Sequence, residues 1–449
     1  MKYNNDLITK PIPGLIKKIA LPASIGFFFN TMFNVTDTFY AGYISTEAIA
    51  ALSLSFPVFF LIIAMGSGIS TGASALIANS LGAGDINRAK KYATQAISFG
   101  IIVGILLTFI GYLSAPFLFK ILGANGNYLT TALNYINIIF FGSIIFLLTF
   151  ILNSTLTAQG DTKSFRNIII FSFFLNLILD PWFMLGGFGL PAFGLAGVAW
   201  ATITIEVISL VYLAKRAYQT DILCWQDIKK LTPKLYYFRQ LAKQGLPASM
   251  NMMTVALGIF VITYFVSKFG QSAVAAYGIG TRIEQIVLLP TIGINIAALT
   301  LVGQNNGARR YARVKEVIRL VIKYGLIIAS FGMLGVLLFS KQLIMLFSSD
   351  PEVILIGSTY LRISIFMYWA YVLLFISTSA LQGLKKPMYA IWIGLYRQLA
   401  APFIIFYLLA TVLGWGITGI WWGILIINWS AVIITLTYLK YVMNKLAKT

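Results

Sequence analysis

The sequence predicts an all-α integral membrane protein, with twelve transmembrane helices in two pseudo-symmetric six-helix bundles. Three observations carry that prediction: the scarcity of charge, the length of the apolar runs, and a pattern that occurs twice. Charged residues make up 10% of 449 positions and apolar residues 59%, whereas soluble domains carry about a quarter charged residues. So few charges cannot cover a surface in water. Apolar stretches such as 101–119, 137–152 with its flanks and 321–339 reach the roughly 20 residues that cross a bilayer core. The bilayer is the solvent.

Reading apolar runs between polar, Gly and Pro breaks gives twelve spans, at 15–40, 48–78, 93–119, 128–157, 165–187, 192–214, 245–267, 273–303, 317–340, 353–381, 388–411 and 416–439. The net charge of +20 could suggest a nucleic-acid partner, but its placement excludes one. Of 33 basic residues, twenty-seven fall at the N-terminus, the even-numbered loops and the C-terminus. Three, Lys120, Lys268 and Lys341, fall in odd-numbered loops, and Arg282, Arg362 and Arg397 fall within spans. This bias sets both termini in the cytoplasm of a cell with a multi-pass inner-membrane protein, with the charge facing anionic headgroups.

The opening stretch, 1–18, has no short apolar core before a small-residue cleavage site, so no cleaved signal peptide is expected. The lone cysteine, Cys224, rules out an internal disulfide. With no histidine, an imidazole metal site is excluded and any proton handling must rest on carboxylates. No cofactor is expected, and no nucleophile motif points to an enzyme.

The chain repeats itself. Leu21-Pro22-Ala23-Ser24 returns 225 residues on as Leu246-Pro247-Ala248-Ser249, and Ala48-Ile49-Ala50-Ala51 returns at the same spacing as Ala273-Val274-Ala275-Ala276. Gly82-Ala83 maps onto Gly307-Ala308, Gln159-Gly160 onto Gln382-Gly383, and the segment 194–200 onto 416–422. Each half therefore holds six helices. Because six is even, the copies are parallel repeats, an architecture that lets one rock against the other. The expected organisation is an N-lobe at 1–217, a cytosolic amphipathic linker at 218–243 and a C-lobe at 244–449.

A duplicated scaffold shows its function where the copies differ. Of thirteen acidic residues, Asp37, Asp180, Glu206 and Glu284 lie inside spans, where an unpartnered charge costs roughly 2.5–3.5 kcal/mol even on the lenient insertion scale. The repeat counterpart of Asp37 is Ile262, and that of Asp180 is Ala401. Asn176 and Asp180, four apart, share one helical face. Pro181 has no N–H to donate, which leaves the Leu177 carbonyl free and bends the helix; such a carbonyl is tolerated only against protein or a watered cavity. Glu284 is the C-lobe candidate and Glu206 reads as structural. Pro22, Pro57, Pro290 and Pro402 mark kinks, while Gly68-Ile69-Ser70-Thr71-Gly72 and Gly419-Ile420-Trp421-Trp422-Gly423 fit small-xxx-small helix packing.

Several segments in this order resemble the multidrug and toxic compound extrusion (MATE) family of bacterial or archaeal type, DinF-like branch, over essentially the whole length. They are Phe33-Asn34-Val35-Thr36-Asp37-Thr38-Phe39-Tyr40-Ala41-Gly42, Asn79-Ser80-Leu81-Gly82-Ala83-Gly84, Gln159-Gly160-Asp161-Thr162, Asn176 to Pro181, Gly197-Val198-Ala199-Trp200-Ala201-Thr202 and Val302 to Ala308. The resemblance implies cation-coupled antiport that exports drugs or other bulky, often cationic, organic compounds, by a monomer in contact with membrane lipids. It implies a coupling site for H⁺ or Na⁺ at Asp37, Asn176, Asp180 and Thr202, and a substrate chamber involving Tyr135, Asn153, Asn30 and Asn34. It also implies helix bending at Pro22. Some members carry a glutamate in the seventh helix; span 245–267 holds no acid, which leaves Glu284. A flippase for a lipid-linked saccharide is the alternative, kept by Arg282 and Arg397 as phosphate-binding cations.

The charge bias makes a topology prediction. Green fluorescent protein fused after Thr449 will fluoresce in intact cells, and alkaline phosphatase fused there will be inactive; an active phosphatase would invert the assigned orientation.

Overall fold

The computed structural model describes residues 6–187, 189–223 and 231–446. Cys224, Trp225 and Asp227 of the expected linker lie outside the described residues. The helices are α1 (Asp6–Thr9), α2 (Ile12–Ile44), α3 (Thr46–Gly82), α4 (Ile86–Ile121), α5 (Gly126–Phe141), α6 (Ser143–Ala158), α7 (Lys163–Leu185) and α8 (Leu195–Tyr218). They continue as α9 (Leu235–Ser267), α10 (Gln271–Gly307), α11 (Tyr311–Met345), α12 (Pro351–Gly383), α13 (Met388–Val412) and α14 (Gly416–Leu446). Among the described residues eleven are long and apolar enough to cross a bilayer, and α5 with α6, bent by 46°, make a twelfth if the pair is counted as one span. The fold is the all-helical membrane architecture expected.

Two details depart from the expected spans. The fourth, read as one run at 128–157, is broken at Gly142, where a Cβ would come within 2.9 Å of the Ile203 side chain. Ile203 of α8 occupies the space that a straighter, bulkier helix would need. The stretch 218–243 is helix from Leu235 onward, and its start is fastened to α4. Gln95 donates to the Thr232 carbonyl and accepts from the Lys234 N–H, Ser98 donates to the Leu231 carbonyl, and Tyr237 and Phe238 pack edge-on against Tyr92 and Phe99. These ring contacts and hydrogen bonds, unseen in the charge pattern, hold the start of α9 against α4.

The outer faces are apolar. Phe109, Leu113 and Phe117, one helical turn apart on α4, are 65%, 67% and 67% exposed, a stripe that only lipid can cover.

Packing divides the chain elsewhere than the repeat does. Among the described residues, one compact unit comprises those of Ile25–Ser249, and the other Asp6–Ser24 with the chain from Met250 onward. The two long helices α2 and α9 each pass from one unit to the other a few residues after Pro22 and Pro247 respectively. In the first unit the core gathers Ile62, Ile69, Ile77, Tyr92, Ile136 and Leu147. In the second, Ile12, Leu15 and Ile19 of α2 join Val266, Ala297, Tyr360 and Trp421.

The same contact seats both crossing helices. Ser249 donates to the Met65 carbonyl at 3.4 Å, and a Cβ on Gly68 would fall onto Ser249 Oγ. Exactly 225 residues away in register, Ser24 donates to the Pro290 carbonyl at 2.9 Å, and a Cβ on Gly293 would fall onto Ser24 Oγ. Gly72 likewise admits the backbone of Gly245. The Gly68–Gly72 pair is therefore a packing groove, as small-xxx-small spacing implies.

Gly68→Leu and Gly293→Leu should each destabilise the protein by about 1–3 kcal/mol through overpacking, read as a lowered melting temperature of the purified chain. Gly335→Leu is the control, since nothing lies within 4 Å of a Cβ there.

Candidate functional site

The site grows from the two irregularities of the first unit, an acid in α2 and a proline in α7. Asp37 is 8% exposed and Asp180 and Asn176 are fully buried. The Asn176 amide donates to Asp37 Oδ1 at 3.0 Å, joining α2 to α7. Asp180, one turn along α7, has Asp37 and Asn176 as its polar neighbours, yet both its carboxylate oxygens are buried with no donor at hydrogen-bonding distance. Tyr135 of α5 is 4% exposed and lies within electrostatic range of both carboxyls. Three helices thus bring two acids, an amide and a phenol together in an apolar lobe.

Pro181 explains how α2 is held there. The carbonyl it frees, that of Leu177, accepts a 3.0 Å hydrogen bond from the Tyr40 hydroxyl. Tyr40 is three residues after Asp37 and shares its side of α2. The backbone defect in α7 is therefore satisfied by the helix that carries the acid. Sequence reading identified the free carbonyl but not Tyr40; the signal was an aromatic hydroxyl at i+3 from the acid.

The remaining expected residues have other partners. Thr202, 5% exposed, donates to the Val198 carbonyl at 2.9 Å on its own helix, and among the described residues no hydrogen bond joins it to Asp37, Asn176 or Asp180. Asn34 donates to the Asn30 carbonyl at 2.8 Å, so these two and Asp37 stand at i, i+4 and i+7 on α2. Asn153, half-buried, accepts from Thr157 on its own helix. Glu206 lies beside Thr149 with one oxygen buried and unpaired.

In the second unit, Glu284 is 6% exposed, neighbours Ser364 and Tyr360 of α12, and keeps one carboxylate oxygen buried without a partner. Arg282 and Arg362 are exposed, whereas Arg397 is half-buried.

Chemically, two buried carboxyls with one amide donor between them are short of positive charge. A proton shared between them, or a small cation held by hard oxygen ligands, would supply the missing charge.

Comparison with known proteins follows the same outline. A family model described as MatE matches residues 22–182 and 247–408, two blocks spaced like the repeat. The chain is 28% identical over 409 residues to the probable multidrug resistance protein YoeA of Bacillus subtilis, covering 90% of this chain and 88% of that one. It is 28% identical to a FAD transporter of Shewanella oneidensis, over 88% of each, and 26% identical to the multidrug export protein MepA of Staphylococcus aureus, over 79% and 78%. Among solved structures, a MATE transporter in the bent conformation superposes with a TM-score of 0.91 at 24% identity, over 99% and 98% of the two chains. An outward-facing multidrug resistance MATE transporter of the MOP superfamily gives the same TM-score, identity and coverage. At that identity the likeness is one of fold.

Tyr40→Phe should cost about 1–3 kcal/mol of stability by leaving the Leu177 carbonyl unpaired. Adding Pro181→Ala, which restores an N–H to that carbonyl, should recover most of the loss in thermal unfolding. No recovery would mean that the Tyr40 bond does something other than repair the proline gap.

Proposed function

The chain belongs to the MatE family, and we propose that it is a cation-coupled antiporter exporting bulky organic compounds by alternating access. Multidrug resistance and export proteins and a FAD transporter among its relatives support organic cargo of this size. The observation that carries the coupling is the buried Asp37–Asn176–Asp180 cluster, whose acids have no counterpart in the repeat. In this reading the cluster loads H⁺ or Na⁺, with Thr202 on the neighbouring α8 as an additional oxygen ligand after a rotamer change. Asn30 and Asn34, on the Asp37 side of α2, together with Tyr135 and Asn153, contribute to the substrate chamber. Glu284 is a second ionisable group, in the other unit. The protein acts as a monomer in the cytoplasmic membrane with both termini inside.

Coupling requires that cation and cargo favour different states, because a ligand shifts an equilibrium only by its differential affinity. We assign the difference to α2. Cation binding draws Asp37 toward Asp180 and bends the helix at Pro22, where the missing N–H already weakens the ladder; the bent helix narrows the chamber and releases cargo outward. The energy suffices. A tenfold gradient supplies about 1.4 kcal/mol per ion, and the membrane potential about 2.3 kcal/mol per charge per 100 mV.

The test is dye transport in inverted vesicles with a pH gradient or a sodium gradient imposed separately. One gradient should drive uptake, and Asp37→Asn and Asp180→Asn, expressed at wild-type level, should each lower it at least tenfold. Full activity in both variants would remove the coupling site.

A further inference from the structure

The second unit holds a cation without an anion of its own. Arg397 sits in the π-helical turn Tyr396–Ala400 of α13, and π turns inside α-helices occur frequently at functional sites. Its Nη1 donates to Asn428 Oδ1 at 3.2 Å, and its guanidinium carbon lies 5.6 Å from the centroid of the Phe375 ring. Phe375 in turn stacks on Tyr371, 5.9 Å away and within 10° of parallel. Asn428, 4% exposed, is fixed by its own amide, which donates to the Ile424 carbonyl at 2.8 Å.

Among the described residues no acid pairs with this charge, although Glu284 and Arg397 both lie within electrostatic range of Tyr371. Among the described residues neither ion pair involves Arg397. Within the second unit Asp6 pairs with Lys10, Asp350 caps α12, Glu352 accepts from Ser272, Glu316 lies in the opening turns of α11, and Glu284 keeps company with Ser364 and Tyr360. A guanidinium presents five N–H donors in a planar fork, and a neutral amide with one ring face neither neutralises nor saturates it. An ionisable side chain held within a membrane span without a counter-ion is a functional-site hypothesis by default.

The repeat sharpens the reading. In the register that sets Pro402 on Pro181, Arg397 occupies the place of Asn176, and in the register of the last helices Asn428 occupies that of Glu206. Where the first unit gathers oxygens short of positive charge, the second carries a permanent positive charge at the matching position.

We propose that Arg397, Asn428 and Phe375 form a subsite for an anionic group, a carboxylate or phosphate, on a flat organic substrate. The guanidinium fork takes the two oxygens side by side, and the Phe375–Tyr371 stack receives the adjoining ring system. This rests on the export reading and deepens it, naming organic anions and zwitterions as cargo.

The test uses the full chain in phosphatidylcholine nanodiscs and two xanthene dyes of one shape. Fluorescein carries a carboxylate; rhodamine 6G is an esterified cation. Fluorescence anisotropy gives both affinities, and the readout is their ratio. Arg397→Gln should shift the ratio against fluorescein by at least about tenfold, the worth of a charge-assisted hydrogen bond. Asn428→Asp, near-isosteric and able to give Arg397 an internal carboxylate, should shift it the same way while the protein stays folded. An unchanged ratio in both variants, or an equal fall for both dyes, overturns the subsite. Adding phosphatidylglycerol distinguishes the source of the anion: undiminished fluorescein binding supports a soluble cargo, and displacement assigns the subsite to a lipid headgroup and overturns it. Gradient-driven transport of rhodamine 6G without fluorescein binding by the wild type sinks this proposal and leaves the export reading standing; no transport of either dye sinks the export reading itself.

Discussion

Hydrocarbon cannot hydrogen-bond to a peptide group, and the candidate site of the first unit is organised around a place where its chain breaks that constraint. Pro181 leaves the Leu177 carbonyl without a helical partner at membrane depth. The Tyr40 hydroxyl reaches across from α2 to take it, and that reach sets the height and rotation of α2 against α7. Asp37 lies less than one turn before Tyr40 and Asn176 one position before Leu177, so the bond between them at 3.0 Å follows from the repair. Asp180, adjacent to the proline, comes in with it. A single missing N–H thus gathers the polar groups that the surrounding core of Ile, Leu and Phe would otherwise exclude.

The second unit shows what duplication does to such a device. It keeps the proline at 402, but α13 answers it with two π turns, Tyr396–Ala400 and Tyr407–Val412. The turns that follow α3, α6, α10 and α12 diverge in the same manner. Gly84 adopts positive φ at no steric cost, whereas its counterpart Arg309 adopts it at φ 56°, as does Lys385, two residues past the counterpart of Gly160, at 60°, a conformation that costs a residue with a Cβ roughly 1–2 kcal/mol. The second copy has accepted local strain in exchange for basic side chains at those corners.

Much of this was legible in the residues, for reasons that differ by feature. Span limits were readable because lipid demands long unbroken apolar runs, and most helices overshoot the expected ends only by polar turns. Asp37 and Asp180 stood out because intramembrane acids are few and their repeat counterparts are apolar, and Asn176 because it shares the helical face of Asp180. Tyr40 did not, since one tyrosine among 23 carries no mark until its partner carbonyl is located in space. The break at Gly142 escaped because no proline announces it and the intruding Ile203 comes from a distant helix. Arg397 was visible as a cation in a span, but its ring and amide partners lie on α12 and α14, which no local pattern connects.

The crossing of α2 has a consequence for how this protein comes to be made. Ile12, Leu15 and Ile19 pack in a core to which the later helices contribute from Val261 onward, which the ribosome reaches only after some 240 further residues. Until then the opening half of the first membrane helix has no protein to lie against and must wait in lipid, while its second half can already settle beside α7. Assembly is therefore finished from the front: the earliest segment translated is among the last to find its place, and early release of a half-length chain would leave that segment orphaned.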